Sequence, residues 1–224
     1  MTLVKDKKCI KYFVLASVIL LCIYSGFIAN AFEPIFDNIY YGNLTGLFVS
    51  VVSAMIWGIE VGAIIFVCKK LDIHIFTDKE RKGKELPTWR VVTLFILTIL
   101  PMIIISAVLM WKLKIVYALG ERVTVMTLLC NVGEILAYAV RMILMIMFIS
   151  CTQKGFEMVF KTKYIVPYGA ILALLTFGLI DLFVLAGSFK VFYLIVSFIY
   201  GIIYLVADRK FAITWLLCYL IYLL

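Results

Sequence analysis

The chain has 224 residues, of which 66% are hydrophobic and only 15% carry a charged side chain. Soluble domains contain roughly 45–50% apolar residues, so this composition excludes a soluble globular protein and indicates an integral membrane protein. The net charge of +8 would indicate a nucleic-acid partner in a soluble chain, but here the basic residues lie in short segments between long apolar runs. The expected partner is therefore the lipid bilayer, with no nucleic acid.

Six apolar stretches are long enough to cross about 30 Å of hydrocarbon as helices. A last apolar stretch, residues 211–224, is shorter and is predicted either to stop short of a full crossing or to tilt into a cavity. We therefore predict an all-α, polytopic transmembrane helix bundle in a single domain, residues 1–224, with a cytoplasmic loop at about 69–90. The six predicted spans are 10–32, 45–68, 90–111, 123–150, 165–187 and 191–207.

Lysine and arginine are unevenly divided between the connecting segments. The alternate segments that include the N-terminus and the 69–90 loop carry 16 of them, and the other segments carry 4. The positive-inside rule thus predicts a multi-pass protein of the cell membrane with a cytoplasmic N-terminus. A rival interpretation is a signal peptide cleaved after Ala29-Asn30-Ala31, but the apolar run before it is longer than a signal peptide normally has.

The six cysteines show no C-x-x-C pair and have no histidine near them to indicate zinc. Cys9, Cys68 and Cys151 map to the predicted cytoplasmic interface, a reducing compartment in which disulfides are not expected. We expect no metal and no other cofactor.

Four charged residues lie away from the ends of the predicted spans, and a charge at the bilayer centre costs roughly 2.5–3.5 kcal/mol. They are Glu60, Glu134, Arg141 and Asp181. Glu60 and Arg141 both fall in the cytoplasmic halves of their spans, so we predict a structural ion pair between them. Glu134 and Asp181 fall in outer halves, and two acids in one cavity would hold a proton or a cation.

Span four carries Asn131 and Tyr138 on the same helical face as its two charged residues. This polar seam must face protein or water, and it serves either as an interhelical lock or as the lining of a functional cavity. A similar stripe on span six lines the same cavity or packs in the core. That stripe consists of Ser197, Tyr200, Tyr204 and Asp208.

From Glu134 onward the chain resembles the bacterial CAAX-protease and bacteriocin-processing family (CPBP/Abi) of intramembrane peptidases. Members carry E-E-x-x-x-R on one helix, F-x-x-x-H about forty residues later, and a histidine on a short last helix. Here a helix with Glu134 and Arg141 is followed by Phe177-Gly178-Leu179-Ile180-Asp181, then by a glycine-bearing helix and a terminal apolar helix.

The resemblance implies that Glu134 activates water and that histidines place the substrate. This chain departs from that pattern, because Glu134 stands alone, Arg141 is seven residues on instead of four, and Asp181 occupies the first histidine position. The single histidine, His74, lies in the predicted cytoplasmic loop. The chain is thus expected to be a degenerate relative, at best a divergent peptidase, with Phe177 kept among the cavity residues.

Three kinds of function remain open. The resemblance implies peptide or bacteriocin processing or immunity, with an apolar or lipidated peptide as partner. A small transporter or permease subunit would use the intramembrane acids and arginine for proton or ion coupling, although no internal repeat and no ATP-binding loop is visible. A third possibility is an assembly partner for another membrane subunit, in which the buried charges only set helix register.

Overall fold

The computed structural model describes residues 2–25, 43–76, 86–108, 125–161, 166–179 and 190–223. All regular structure within these ranges is helical, so the all-α prediction is confirmed there. The seven helices are α1 (Thr2–Ser25), α2 (Asn43–Lys70), α3 (Thr88–Val108), α4 (Val125–Phe160), α5 (Tyr168–Ala173, continued by a π-helical turn, Leu174–Gly178), α6 (Lys190–Val206) and α7 (Phe211–Leu223).

Within the described residues, three helices, rather than the predicted six, are long and apolar enough to cross a membrane. They contain the stretches Lys8–Ser25, Gly46–Lys70 and Leu129–Phe160. The other apolar helices are shorter within the described ranges: α5 begins after Pro167 and turns π-helical at Leu174, and α7 has 13 residues. At about 1.5 Å per residue, the 13 residues of α7 extend roughly 20 Å, compared with about 30 Å of hydrocarbon in a bilayer.

Helix α4 is the centre of the bundle and contacts α1, α2, α5, α6 and α7. Its apolar stretch is 61% buried, whereas that of α2 is only 22% buried. The predicted end of this span at residue 150 was too early, because α4 continues to Phe160. Residues 151–155 are buried against neighbouring segments instead of forming a solvated loop.

Helices α5 and α6 cross at Gly201, where the two backbones touch. A Cβ on Gly201 would lie 2.2 Å from the Cα of Ala170, so only glycine permits this approach. Gly58 and Gly62 on α2 also form a G-x-x-x-G pattern, but no described atom lies within 4 Å of a Cβ added at either position. The tightest approach at a described glycine is therefore at Gly201 of α6, and not at the glycine pair of α2.

One end of the bundle, here called the basal end, collects the chain segments 69–76, 86–90, 150–161 and 207–211. Ser150 Oγ donates to the carbonyl of Ile75 at 3.2 Å, and the rings of Phe76 and Phe211 meet at 4.7 Å. Arg90 contacts Asp208 at 2.8 Å at the same end. All of these segments belong to the set that the basic-residue count assigned to a single side of the membrane.

Candidate functional site

The polar seam predicted on α4 lies at a helix interface. Asn131, Glu134, Tyr138 and Arg141 are all half-buried, as expected for side chains that face other helices instead of lipid. Ala137, which lies between Glu134 and Tyr138 in the sequence, is buried. The seam is therefore a site at which protein groups surround charges well inside the longest apolar helix.

The terminal helix α7 packs antiparallel along this part of α4. Trp215 Nε1 donates to the carbonyl oxygen of Ala139 at 3.0 Å, and the Tyr219 hydroxyl donates to that of Ile135 at 2.9 Å. Residue numbers rise along α7 while those of its partners fall along α4, which fixes the antiparallel direction. Both side chains donate hydrogen bonds to backbone carbonyls of α4, so they fix the position of α7 along α4.

Tyr222, in the last turn of α7, joins the seam directly. Its ring stacks on that of Tyr138 with centroids 4.1 Å apart, and the two side chains are hydrogen-bonded. The Tyr222 phenol is also close enough to Glu134 and Arg141 to interact electrostatically with both. Tyr222 therefore adds a phenol of α7 to the polar side chains of α4.

Arg141 lies against aromatic rings. Its guanidinium carbon is 5.9 Å from the centroid of Trp57 on α2 and 5.7 Å from that of Tyr138, within the range of cation–π attraction. Trp57 is held in place because its Nε1 donates to the carbonyl of Ile23 at 3.2 Å. We call the group formed by Trp57, Glu134, Tyr138, Arg141 and Tyr222 the Glu134 cluster.

The ion pair predicted between Glu60 and Arg141 is not formed. Glu60 points to α1, where Ser25 Oγ donates to its Oε1 at 2.6 Å and the Cys22 thiol forms a second hydrogen bond. The other carboxyl oxygen, Oε2, is buried without a hydrogen-bond partner among the described residues. The prediction used depth alone, and depth does not state which helix face a side chain occupies.

The other predicted cavity residues have different surroundings. Phe177 is fully buried, with its ring 5.0 Å from that of Phe148. Tyr200 is also buried, and the Tyr204 hydroxyl donates to Ser150 Oγ at 2.8 Å. All three side chains pack in the core. Asp181 lies outside the described residues.

A second polar group, at the basal end, was not predicted. Glu157 on α4 accepts hydrogen bonds from Arg209 and, at 2.7 Å, from Gln153 Nε2. Arg90 and Asp208 form the neighbouring ion pair, so we call these five residues the basal network. The adjacent charges at 208 and 209 after a long helix were visible in the sequence, but their partners are more than fifty residues away.

The Glu134 cluster offers hydrogen-bond donors and one carboxylate. Phenols and guanidinium groups can donate to carbonyl or carboxylate oxygens, and a carboxylate such as that of Glu134 can accept from N–H or O–H groups. The chain's single histidine, His74, lies at the basal end. Its side chain contacts Asp72 at 3.3 Å, and its backbone carbonyl accepts a hydrogen bond from Lys154. Lys154 is twenty residues, or about 30 Å, from Glu134 along α4. The cluster therefore contains hydrogen-bonding and charged side chains but no histidine.

No group of three or more potential metal ligands occurs among the described residues. The chain matches no protein-family model, no curated protein and no solved structure.

Proposed function

We propose that the chain is a multi-pass protein of the cell membrane, with a cytoplasmic N-terminus, that binds an apolar or lipidated peptide at the Glu134 cluster without cleaving it. On this proposal it is a catalytically degenerate relative of the CPBP/Abi intramembrane peptidases, acting in peptide or bacteriocin processing or immunity. The supporting observation is that the short last helix brings Tyr222, in place of a histidine, to the helix that carries Glu134.

The choice of binding over cleavage follows from the kinds of side chain in the cluster. Amide hydrolysis requires a group that activates water and a group that protonates the leaving amine, and histidine normally supplies or positions these steps. Tyr138, Tyr222 and Arg141 instead supply donors for peptide carbonyls or a terminal carboxylate. The surrounding apolar faces of α2 and α4 suit an acyl, prenyl or aliphatic side chain.

The proposed orientation is supported by the arrangement of the basal end. Exposed Lys69 and Lys70 close α2 there, and the charged α6–α7 connection lies beside Arg90. Placing this end in the cytoplasm satisfies the positive-inside rule for every described basic segment that meets there. The Glu134 cluster would then lie toward the opposite leaflet.

The test uses the purified chain in lipid nanodiscs and two dansyl-labelled peptides, one farnesylated at a C-terminal cysteine and one identical but unlipidated. We expect saturable anisotropy changes for the farnesylated peptide, weakened in Arg141→Leu and Tyr222→Phe, with an intact peptide mass after long incubation. The unlipidated peptide and empty nanodiscs serve as controls. Cleavage that Glu134→Gln removes would contradict the proposal, and so would equal binding to empty nanodiscs.

Proton-coupled transport is a second candidate, supported by a different residue. Glu60 is a second carboxylate within a membrane-length helix, and its buried Oε2 has no hydrogen-bond partner in the described chain. A proton-coupled role would give a proton flux across proteoliposomes that a trapped pH-sensitive dye records and that Glu60→Gln abolishes. A wild-type flux no greater than that of protein-free vesicles would remove this candidate.

A further inference from the structure

The connection between α6 and α7 has an unusual backbone. Helix α6 ends in a Schellman pattern, in which the Arg209 N–H bonds to the Tyr204 carbonyl at 2.9 Å and the Asp208 N–H to that of Leu205 at 3.1 Å. Both Asp208 (φ 56°) and Arg209 (φ 63°) adopt the left-handed conformation. Two successive non-glycine residues in this region are strained, and glycine would remove the strain.

The two residues contact different helices. Asp208 contacts Arg90, at the start of α3, at 2.8 Å, and Arg209 contacts Glu157, near the end of α4. The Arg209 and Glu157 side chains are only 6% and 13% exposed, so this ion pair is removed from solvent. The turn between α6 and α7 is therefore tied to two other helices at once.

The partner of Arg209 is itself held in place. Gln153 donates to Glu157 through Nε2 at 2.7 Å and accepts the backbone N–H of Gly169 through Oε1 at 2.8 Å. It also donates to the Val166 carbonyl at 3.0 Å. Glu157 is thus oriented by α4 and by the segment that begins α5, so Arg209 binds a preorganised carboxylate.

We propose that Asp208 and Arg209 are positioning residues that set the place of α7 on α4 and thereby hold Tyr222 in the Glu134 cluster. A short helix pinned at its first turn can neither slide nor rotate freely. A slide of one residue would rotate each α7 side chain by about 100° relative to α4 and break both contacts to its carbonyls. The ion pairs at the basal end therefore determine geometry at the far end of α7.

This inference rests on the proposed function only for its consequence, namely that the basal network controls peptide affinity. Its structural part stands on its own. The local position of α7 is reported by Trp215, whose indole N–H contacts the Ala139 carbonyl at 3.0 Å. A ring nitrogen's surroundings are measurable whether or not any peptide binds.

The experiment is fluorine NMR of the full chain labelled with 5-fluorotryptophan in nanodiscs, with the four tryptophan signals assigned by single Trp→Phe variants. In Arg209→Gln we expect the Trp215 signal to shift or split while the Trp89 signal stays in place. Arg209→Lys, which keeps the charge, should restore the wild-type signal. Asp72→Asn is the matched control, because Asp72 (φ 55°) ends α2 in the same left-handed conformation but contacts exposed His74.

A structural role without positioning would lower stability and leave the Trp215 signal of the folded protein unchanged, and that result would overturn the proposal. If Arg209→Gln does not accumulate, Arg90→Gln gives the decision, since its ion pair is more exposed and its loss should produce a smaller Trp215 shift. An unshifted Trp215 signal in folded Arg90→Gln would then contradict the proposal.

Peptide titration of the same samples separates this inference from the proposed function. We expect binding of the farnesylated peptide to weaken roughly three- to tenfold in Arg209→Gln. A shifted Trp215 signal in a chain that binds no peptide would refute the proposed function and leave the positioning role intact. Unchanged Trp215 and normal binding would refute the positioning role alone.

Discussion

The Glu134 cluster and the basal network solve the same problem, charge inside a helix bundle, in different ways. In the basal network each arginine faces a carboxylate, Arg90 toward Asp208 and Arg209 toward Glu157. In the Glu134 cluster the guanidinium of Arg141 faces the rings of Trp57 and Tyr138. Direct ion pairs join the helices at the basal end, whereas the Glu134 cluster places its guanidinium against aromatic faces.

The comparison also separates two intramembrane carboxylates that the sequence presents as equals. Glu60 accepts a hydrogen bond from Ser25 on α1, away from the cluster. Glu134 shares its surroundings with Tyr222 and Arg141. Of the two acids, only Glu134 lies where α7 supplies additional polar groups, and for that reason we place the binding site there.

The largest effect is expected for the buried ion pair of the basal network. Arg209→Met should destabilise the protein by about 3–5 kcal/mol, because it leaves the Glu157 carboxylate buried without its cation. Unfolding in increasing mole fractions of SDS, followed by circular dichroism, measures this change. The double variant Arg209→Met/Glu157→Met should recover a large part of the loss, and strict additivity of the two single changes would show that the pair is not coupled.

A smaller effect is expected for the arginine of the Glu134 cluster. Arg141→Leu should cost about 1–2 kcal/mol in the same assay, since it removes cation–π contacts and no direct ion pair with Glu60. Combined with Glu60→Leu, the two changes should add within about 0.5 kcal/mol, because the residues do not contact each other. Substantial recovery in the double variant would restore the ion pair that was first predicted from depth.

These two cases show how far the sequence alone leads. Apolar run length and the basic-residue count predicted a helical membrane protein, and 3.6-residue periodicity placed Glu134, Tyr138 and Arg141 on one interface. The partner of Arg141 was beyond reach, because spacing along one helix contains no information about the rotation of another. The left-handed turn at Asp208 and Arg209 could not be predicted either, because these residue types do not indicate a positive φ as glycine does.

The predicted number of spans, six, exceeds the three membrane-length helices of the described residues for a related reason. Hydropathy reports whether a residue prefers lipid or a protein core, and both environments are apolar. Residues 211–224 look like an incomplete span, yet Thr214, Cys218 and Ile221 are buried against other helices. The extension of α4 beyond residue 150 is polar in sequence, but Gln153 and Lys154 are buried there by specific hydrogen bonds. Such burial depends on partners that one sequence does not identify.

The smallest effects should come from the two helix ends that carry a left-handed aspartate. Asp72→Gly should stabilise the protein by up to about 1 kcal/mol, because glycine adopts positive φ without strain and the exposed contact to His74 contributes little. Asp208→Gly relieves the same strain but also removes the contact to Arg90, so its net effect should be lower by about 1 kcal/mol. Equal shifts of the SDS midpoint in the two variants would show that the Arg90 contact contributes nothing.

The central claim is that the Glu134 cluster binds and does not catalyse. Its most direct test is the dissociation constant of the farnesylated peptide for Glu134→Gln and Arg141→Leu, compared with wild type in the same nanodiscs. A neutral amide keeps the size and most hydrogen bonds of Glu134, so we predict less than about a threefold loss for Glu134→Gln and about tenfold or more for Arg141→Leu. The reverse order, with Glu134→Gln accumulating normally but losing binding or abolishing a measurable cleavage, would contradict the account.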